Sequence, residues 1–271
     1  MTEQAHAIYR PQGRVGELVL NRPDKLNALS MQLQKDLHAA LDAFERDDAV
    51  RVGILRGEGR AFCVGFDLSP RSDGFRPQDI SAWGDRERLR TWTRLFQRIW
   101  DCPKPIIAQV HGYCLAGGVM LPLVADITII ARECTVGWPK LPMGGGFVAP
   151  LFARAVGPGR AKLMEFMAGS EIDGTTAANW GYAAEAVPQS ELAARCMDLA
   201  QGMSRMSSQM LHLKKSSINR VFDLAGFQQT LTAGTEWDTL AHEDPSITKV
   251  RGWVRDEGMK EAIARFRSEG L

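Results

Sequence analysis

Ten residues near the middle of the chain decide its fold: His111-Gly112-Tyr113-Cys114-Leu115-Ala116-Gly117-Gly118-Val119-Met120. They follow the apolar run Ile106–Val110 and lead into a second apolar segment, Met120–Val124. This pattern predicts a strand, a glycine turn and the start of a helix. The first N–H groups of a helix have no partner inside it, and the helix dipole adds partial positive charge there. Gly117 and Gly118 would let a ligand approach these donors, so the turn suits the binding of negative charge.

A second turn of the same character lies upstream, at Cys63-Val64-Gly65-Phe66-Asp67. Its glycine follows a short apolar segment, so the N–H of Phe66 could point outward beside the first donor. Two backbone donors on one oxygen make an oxyanion hole, which stabilises a thioester or ester carbonyl as it becomes an enolate or a tetrahedral anion. Composition and periodicity leave open whether the two donors converge.

Four motifs extend this pattern along the chain: Asn21-Arg22-Pro23-Asp24-Lys25-Leu26-Asn27-Ala28-Leu29, Ala61–Leu68, Lys104–Gly118 and Ala125-Asp126-Ile127. In that order and spacing they resemble the crotonase, or enoyl-CoA hydratase/isomerase, superfamily. The resemblance covers nearly the whole chain. It implies an α/β fold with a crotonase-like ββα spiral core and an acyl-CoA site in residues 1–187, followed by a C-terminal helical oligomerisation region, residues 188–271. It also implies that the N–H groups of Phe66 and Gly117 form the oxyanion hole.

Length, composition and net charge are those expected of a globular protein whose partner is a small molecule. The chain has 271 residues, 45% of them hydrophobic, which is enough for a full core. With 33 basic and 32 acidic residues, the net charge of +1 gives no reason to expect nucleic acid or an anionic membrane as a partner. We expect a cytoplasmic protein, because residues 1–10 are polar and mixed and no stretch approaches the length of a membrane span.

Periodicity places strands and helices around the two turns. Val15–Leu20, Arg51–Arg56 and Arg60–Val64 are predicted strands, and Ser30 is a plausible N-cap for the helix between the first two. Residues 69–84 are polar and turn-rich, and could be either a cover over the substrate or a passive connection. Further predicted elements are a helix with Leu89, Trp92, Leu95, Phe96 and Ile99 on one face, a strand over 126–130, helices from near Phe147 and from Gly157, and helices only after Pro188.

The resemblance also shows what is missing from the site. Family hydratases carry two glutamates, one three residues beyond the donor glycine and one after a proline in a later loop. These positions are occupied here by Met120 and Lys140, and the spacing between them matches the family without a gap. Because adding water to a double bond needs one group to take a proton and one to supply it, efficient two-glutamate hydration is not expected.

Several residues could compensate, and each has a plainer interpretation. Lys140 could be a base in a dry pocket, could hold a substrate carboxylate, or could simply reach solvent from its loop. Met120 is interpreted as an apolar wall of the acyl pocket, and Trp138 either bounds the acyl chain or is a buried structural residue. Asp67 is more plausibly bonded to loop backbone than an acid, and Glu165 is interpreted as a solvated helical glutamate.

Cysteine and histidine give weak signals. Five cysteines are scattered without a C-x-x-C pair, so no disulfide framework or metal site is predicted. Cys114 lies in the key turn, yet a small buried residue is more plausible there than a nucleophile. His111 ends a strand and is interpreted as a structural histidine.

The remaining expectations come from the resemblance. The coenzyme A part of an acyl-CoA substrate would run along Lys25, Leu26 and Ala28 and past Leu68, with Arg265 and Arg267 near the phosphates. Coenzyme A enters as a thioester substrate, and no bound cofactor is expected. The chain would form a homotrimer or a dimer of trimers. Two hypotheses follow: an enzyme that stabilises a thioester enolate and then isomerises, hydrolyses or decarboxylates it, and a catalytically silent CoA-ester-binding homologue. A dinucleotide site is disfavoured, because the glycines do not form G-x-G-x-x-G.

Overall fold

A computed structural model describes residues 5–68, 77, 80–144 and 146–271 of the chain. Its strands are β1 (Ala7–Gln12), β2 (Val15–Leu20), β3 (Val52–Gly57), β4 (Ile106–Val110), β5 (Tyr113–Leu115), β6 (Ile127–Ala131), β7 (Thr135–Gly137), β8 (Glu171–Asp173) and β9 (Glu185–Val187). Its α-helices are α1 (Met31–Arg46), α2 (Ala82–Asp101), α3 (Met120–Val124), α4 (Ala149–Val156), α5 (Pro158–Glu165), α6 (Gly174–Trp180), α7 (Gln189–Met203), α8 (Ser208–Leu224), α9 (Phe227–Ala241), α10 (Pro245–Glu257) and α11 (Met259–Glu269).

Two sheets organise the chain. The larger has the order β1-β2-β3-β4-β6-β9, in which β1 pairs with β2 antiparallel and all later neighbours are parallel. The smaller has the order β5-β7-β8, with β5 and β7 parallel and β8 antiparallel to β7. Parallel neighbours need crossover connections, and these carry the helices that cover the larger sheet.

Helix α1 shows how the sequence pattern becomes packing. The Ser30 hydroxyl caps the helix by accepting a hydrogen bond from the Leu33 N–H at 3.1 Å. Leu33, Leu37 and Leu41 are fully buried along one face, which is the stripe that the 3.6-residue period predicts. The predicted helix on Leu89–Ile99 is α2, capped by Ser81.

The C-terminal helices contribute to two packed regions. The described chain carries no strand after Val187, and α7 inserts Leu192, Cys196 and Ala200 into the same core as the larger sheet. Helices α10 and α11 form a smaller core with the loop after β7, through Leu141. The 187/188 boundary coincides with the end of β9, while α7 packs as part of the main core.

A buried ion pair fixes α8 to the larger sheet. Lys215 Nζ lies 2.8 Å from Asp126 Oδ2, and the two side chains are only 5% and 16% exposed. The same carboxylate oxygen accepts a hydrogen bond from the Ile106 N–H at 2.7 Å. One carboxylate therefore joins α8 to the start of β4.

The structure corrects several predicted elements. The segment 60–64 is not a ladder strand but an extended segment with a single bridge, Cys63 to Cys114. The strands β1, β5, β7, β8 and β9 were not predicted. The polar segment 69–84 lies mostly outside the described residues, and α2 already begins within it at Ala82.

Candidate active site

The two turns predicted to hold backbone donors lie side by side. The Cys63 N–H donates to the Tyr113 carbonyl at 3.1 Å, and the Leu115 N–H donates to the Cys63 carbonyl at 2.9 Å. These two hydrogen bonds hold the segment before Gly65 parallel to β5. A Cβ atom added to Gly65 would lie only 2.9 Å from the Gly117 nitrogen, so the two turns are in contact.

Local pairing sets the direction of the Phe66 N–H. The Leu29 N–H donates to the Gly65 carbonyl at 2.8 Å, and the Asp67 N–H donates to the Leu29 carbonyl at 3.0 Å. Successive N–H groups of an extended segment alternate between its two sides, so the Phe66 N–H faces away from Leu29. Gly117 lies in the first turn of a 3₁₀-helix, Ala116–Val119, which has no side-chain cap. N–H groups in that turn lack intrahelical partners.

The glycines of the site allow the turns to approach each other. A Cβ on Gly117 would lie 2.7 Å from Phe66 Cε2, and one on Gly118 would lie 2.4 Å from the Cys63 carbonyl oxygen. The glycine pattern of the sequence predicts that both positions allow a ligand to approach. In this structure, the space that a side chain would occupy at each of these glycines is filled by other protein atoms. At Gly117 it is filled by the Phe66 ring.

Three non-glycine residues near the turns have left-handed backbones: Leu26 (φ 51°), Asn27 (φ 56°) and Ala116 (φ 49°). The Asn27 side chain holds its turn, because its amide nitrogen donates to the Glu58 and Ala61 carbonyls at 2.9 and 2.8 Å. The left-handed region is costly for such residues and persists where the surroundings enforce it, often at functional sites. The hydrogen bonds of Asn27 therefore hold the predicted CoA-contacting segment, residues 25–28, in one conformation.

Asp67 is engaged in an ion pair. Its Oδ2 lies 3.0 Å from Arg22 Nη2, and both side chains are largely buried. Arg22 also donates to the Ala28 carbonyl at 2.7 Å. The partner of Asp67 is thus a guanidinium, where the sequence predicts a bond to loop backbone. Asp67 thereby fastens the first motif to the Phe66 turn.

The two positions that carry glutamates in the resembled hydratases lie in contrasting surroundings. Met120 is 1% exposed and belongs to the main core. Lys140 is half exposed, and its Nζ lies 3.8 Å from Glu171 Oε1. A solvated ammonium near a carboxylate lacks the dry surroundings that a lysine base requires. The placement therefore favours the solvent-reaching interpretation of Lys140.

Trp138 is a buried residue of the loop that follows β7. It follows Gly137, which is paired with Leu115 in the β5–β7 register. Its ring packs edge-on against Phe152, with centroids 4.6 Å apart. Burial raises the pKa of Glu165, which lies on α5, and the charge of Asp238 adds to the increase. Glu165 is thus a partly buried, perturbed carboxyl group.

A buried charge network joins two helices, α2 and α9, that are far apart in sequence. His242 Nδ1 lies 2.6 Å from Asp85 Oδ2, and His242 Nε2 lies 3.5 Å from Asp238 Oδ2. Arg88 contacts Asp85 at 2.8 Å. Burial alone would raise the pKa of Asp85, but its hydrogen bond with His242 and the charges of His242 and Arg88 lower it to about 2. Sequence reasoning missed this network because no local spacing connects α2 with α9.

Aromatic rings surround the Phe66 turn. The Phe66 ring lies edge-on to Trp92 at 5.3 Å and to Phe147 at 5.4 Å between centroids, and Phe147 also contacts Phe96 at 6.1 Å. The Trp92 indole nitrogen is buried and has no hydrogen-bond partner. The interpretation of Trp92 and Phe96 as core residues fits their full burial.

The other candidate residues lie as follows. Arg265 is bonded to Glu257 and to Glu269, the latter at 3.2 Å, and stacks over the Trp253 ring at 4.7 Å. Lys25 is exposed at the end of a single 3₁₀ turn, and Leu68 is half-buried. The nitrogen Nε2 of His111 lies 2.9 Å from the Gly59 carbonyl, in keeping with a structural histidine.

All five cysteines are buried, and their thiols should be inert in the native protein. Burial raises the pKa of Cys102 to about 11 and those of Cys63, Cys134 and Cys196 to about 12. Burial raises the pKa of Cys114 well above its ordinary value, and its Sγ lies 3.4 Å from the Tyr182 hydroxyl. Since the thiolate is the reactive form, a disulfide reagent at about pH 8 should label no thiol in the native protein and all of them in denaturant. Rapid native labelling of Cys114 would support the nucleophile interpretation instead.

The described residues contain neither a cluster of metal-ligating side chains nor a helix that could span a membrane. Within residues 5–68, 77, 80–144 and 146–271, no group of three or more histidine, cysteine or acidic side chains is arranged to hold a metal ion. None of the helices in the described part of the chain has the length and apolar character needed to cross a membrane.

Comparison with known proteins identifies a family that this chain matches. The model of the family "Enoyl-CoA hydratase/isomerase" matches residues 10–251. The hydroxycinnamoyl-CoA hydratase-lyase of Pseudomonas fluorescens is 33% identical over 91% of this chain and 87% of its own length. The 1,2-epoxyphenylacetyl-CoA isomerase of Escherichia coli K12 is 31% identical over 74% of this chain and 77% of its own.

A solved structure gives the same result for the fold. The crystal structure of an enoyl-CoA hydratase/isomerase from Xanthobacter autotrophicus Py2 superposes with a TM-score of 0.89 at 31% identity, covering 97% of each chain. The predicted α/β, crotonase-like fold is thereby confirmed. With a family model that spans most of its length and relatives that match it nearly end to end, the chain belongs to the enoyl-CoA hydratase/isomerase family.

Proposed function

We propose that this protein binds an acyl-CoA thioester and stabilises its enolate between the backbone N–H groups of Phe66 and Gly117. The observation that carries the proposal is the contact between the two turns, in which a Cβ on Gly65 would lie 2.9 Å from the Gly117 nitrogen. The left-handed Ala116 that precedes Gly117 supports it, because it holds the donor turn in one conformation. Fixed donors of this kind stabilise charge that develops on an oxygen.

The reaction is proposed to be a proton transfer that needs no two-glutamate hydration. Met120 and Lys140 stand where family hydratases carry glutamates, and each positioned acid or base typically contributes about 10²–10⁴-fold. Isomerisation, hydrolysis and decarboxylation need fewer protein acids and bases than hydration does. A lyase or isomerase reaction is therefore favoured.

Substrate contacts are proposed from the resemblance and from the placement of the residues. Lys25, Leu26 and Ala28 would contact coenzyme A, together with Leu68. Met120 and Trp138 would bound the acyl group. Arg265 would contact the phosphates only by exchanging its present carboxylate partners, Glu257 and Glu269.

The acyl group is best sought among aromatic as well as aliphatic thioesters. Phe66, Trp92 and Phe147 form an aromatic cluster beside the donor turn. The two named relatives carry hydroxycinnamoyl-CoA and epoxyphenylacetyl-CoA in their names. Both kinds of acyl group belong in a substrate panel.

A homotrimer, or a dimer of trimers, is proposed for the assembly. On α8, Leu213, Ile218, Val221 and Leu224 are each at least 60% exposed. Contiguous exposed apolar side chains indicate an interaction surface, and a homo-oligomer would bury them. A cytoplasmic location remains a prediction from the sequence.

An alternative is a catalytically silent protein that binds CoA esters. The observation in its favour is that Met120 is buried in the core and Lys140 is half exposed and near Glu171, so neither presents a carboxylate to the thioester. Such a protein would retain the fold and the donors while the reaction had lapsed.

Binding and turnover across a panel of acyl-CoAs separate the two functions. We expect binding of several thioesters, turnover of at least one, and hydration of crotonyl-CoA at least about 10²-fold slower than by a two-glutamate family member assayed alongside. Binding should be measured by calorimetry and turnover by proton NMR in D₂O. Binding without turnover or α-proton exchange on any thioester would establish the silent protein.

A further inference from the structure

A buried hydrogen-bond donor lies beside the Phe66 turn without an acceptor. Trp92 is fully buried, and among the residues that the structure describes its indole Nε1 has no hydrogen-bond partner. A tryptophan N–H can only donate, and it usually finds an acceptor when it is buried. A buried donor left without one needs an explanation, and an acceptor that arrives with a ligand is one such explanation.

Trp92 differs in kind from the other buried side-chain nitrogens without a partner in the described part of the chain, which are His6 Nδ1 and His111 Nδ1. A neutral histidine carries a proton on only one ring nitrogen, so the other needs no acceptor. In His111 the Nε2 atom already lies 2.9 Å from the Gly59 carbonyl, which leaves Nδ1 as the nitrogen without a proton. The indole of Trp92 has no such alternative, because its proton cannot move.

The Phe66 ring contacts both Trp92 and the proposed donor turn. Its centroid lies 5.3 Å from that of Trp92, with the rings at 68°, and a Cβ on Gly117 would lie 2.7 Å from Phe66 Cε2. Phe66 is half-buried, whereas Trp92 is fully buried behind it. An acyl group that extends from a carbonyl held at the two turns would therefore pass the Phe66 ring before it reaches the Trp92 N–H.

The surroundings of Trp92 are apolar and fixed. Its ring lies 6.5 Å from that of Phe96 between centroids, and the next residue, Thr93, exchanges a buried hydroxyl hydrogen bond of 2.8 Å with Thr235. That bond joins α2 to α9 and holds the backbone of Trp92 in place. A hydrogen bond made in such surroundings is strong, and leaving the donor unpaired is costly.

We propose that Trp92 is a specificity-determining residue, whose indole N–H donates a hydrogen bond to an acceptor oxygen on the acyl group. The proposal rests on the proposed function and deepens it by naming a substrate class. That class is an acyl-CoA whose acyl group is apolar except for one acceptor oxygen, such as a ketone, about one aromatic ring away from the thioester. To admit this oxygen, the Phe66 ring must turn away from Trp92.

Two pairs of thioesters test the substrate class. One pair is 4-acetylphenylacetyl-CoA and 4-isopropylphenylacetyl-CoA, and the other is 5-oxohexanoyl-CoA and 5-methylhexanoyl-CoA. Within each pair a methyl group replaces the ketone oxygen, so the shape is nearly kept and the acceptor is lost. We expect the wild type to bind the ketone of at least one pair about 10-fold more tightly than its hydrocarbon partner, as measured by calorimetry. A pocket without a donor would prefer the hydrocarbon.

The Trp92→Phe variant tests the residue. Phenylalanine keeps an aromatic ring in the cluster but cannot donate a hydrogen bond, so the preference for the ketone should fall by about 10-fold. The matched control is Trp100→Phe on the same helix, because the Trp100 Nε1 already donates to Asp223 Oδ1 at 3.2 Å. Trp100→Phe should keep the wild-type preference.

A spectroscopic readout reports on the N–H itself. The indole N–H resonance of Trp92 can be assigned by its absence from the spectrum of Trp92→Phe. It should move downfield when the preferred ketone is added and move less with the hydrocarbon partner. If Trp92 instead donates weakly to the π face of a neighbouring ring, the two thioesters should have the same effect.

Each outcome decides the proposal. A ketone preference that is lost in Trp92→Phe and kept in Trp100→Phe supports it. Binding of both members of each pair without a ketone preference, or a preference that survives in Trp92→Phe, overturns it and leaves the proposed function standing. If no thioester binds to the wild type, the proposed function fails as well. If Trp92→Phe does not fold, Trp92→benzothienylalanine, which replaces the indole N–H with sulfur at nearly the same shape, decides by the same criterion.

Discussion

Gly65→Ala should lower kcat/KM by about 10²–10³-fold, the range for the loss of one oxyanion-hole donor. The new Cβ would lie 2.8 Å from Ala116 Cβ, 2.9 Å from the Gly117 nitrogen and 2.9 Å from the Leu115 carbonyl oxygen. Two of these three atoms are backbone, so relief requires the turns to separate. The Phe66 and Gly117 N–H groups would then lose the convergence on one oxygen that is proposed above. The measurement is steady-state kinetics on the best thioester of the panel.

A matched variant, Gly13→Ala, distinguishes the kinetic effect of separating the two turns from the effect of backbone strain alone. Gly13 also has a left-handed backbone, with φ of 62° against 90° for Gly65, but a Cβ there meets nothing within 4 Å. Gly13→Ala should therefore carry a comparable strain, of about 1 kcal/mol or more, and retain normal kinetics. Equal kinetic losses in the two variants, at equal thermal stability, would contradict the proposed pair of donors.

Lys215→Met should reduce the free energy of unfolding by about 3–5 kcal/mol, the range for breaking a buried ion pair from one side. The substitution leaves the Asp126 carboxylate, which is 16% exposed, without its ammonium partner. Since Asp126 also accepts the Ile106 N–H, the damage should reach the start of β4. Urea unfolding followed by circular dichroism measures the change, with thermal unfolding as a second readout.

The neighbouring lysine supplies the control. Lys214 is exposed on the same helix, and Lys214→Met should alter stability by less than about 0.5 kcal/mol. Adding Asp126→Asn to Lys215→Met should recover part of the loss, because asparagine removes the unpaired charge and keeps an acceptor for Ile106. A double variant less stable than Lys215→Met would show that the charge is not the cause.

The sequence predicted the long elements of the fold because each buries a continuous face. Strand β2 and helices α1 and α2 appear where period and capping residues indicated. The strands β5, β7 and β8 have three residues each, and so short a run shows no period. The same limit explains why the extended segment before Gly65 was predicted as a full strand, although it pairs at one position only.

The proposed donors can be predicted from local motifs, whereas contacts between residues distant in sequence cannot. Phe66 and Gly117 follow from glycine patterns and from a family resemblance. The raised pKa of Glu165 does not, because burial of its carboxyl group depends on how the folded chain packs around α5. Asp238 and Asp85 are likewise joined to His242 only in the folded chain.

The Phe66 ring rests on Gly117 while the groups proposed to hold the thioester oxygen belong to the main chain. Substituting Phe66 would change a packing contact yet keep its peptide nitrogen, so an alanine scan would underestimate this position. Substitutions at neighbouring positions can likewise replace acidic and basic side chains one at a time. The main-chain groups proposed to bind the thioester carbonyl would be retained. A protein built in this way is free to acquire a different reaction while it continues to recognise the same class of metabolite.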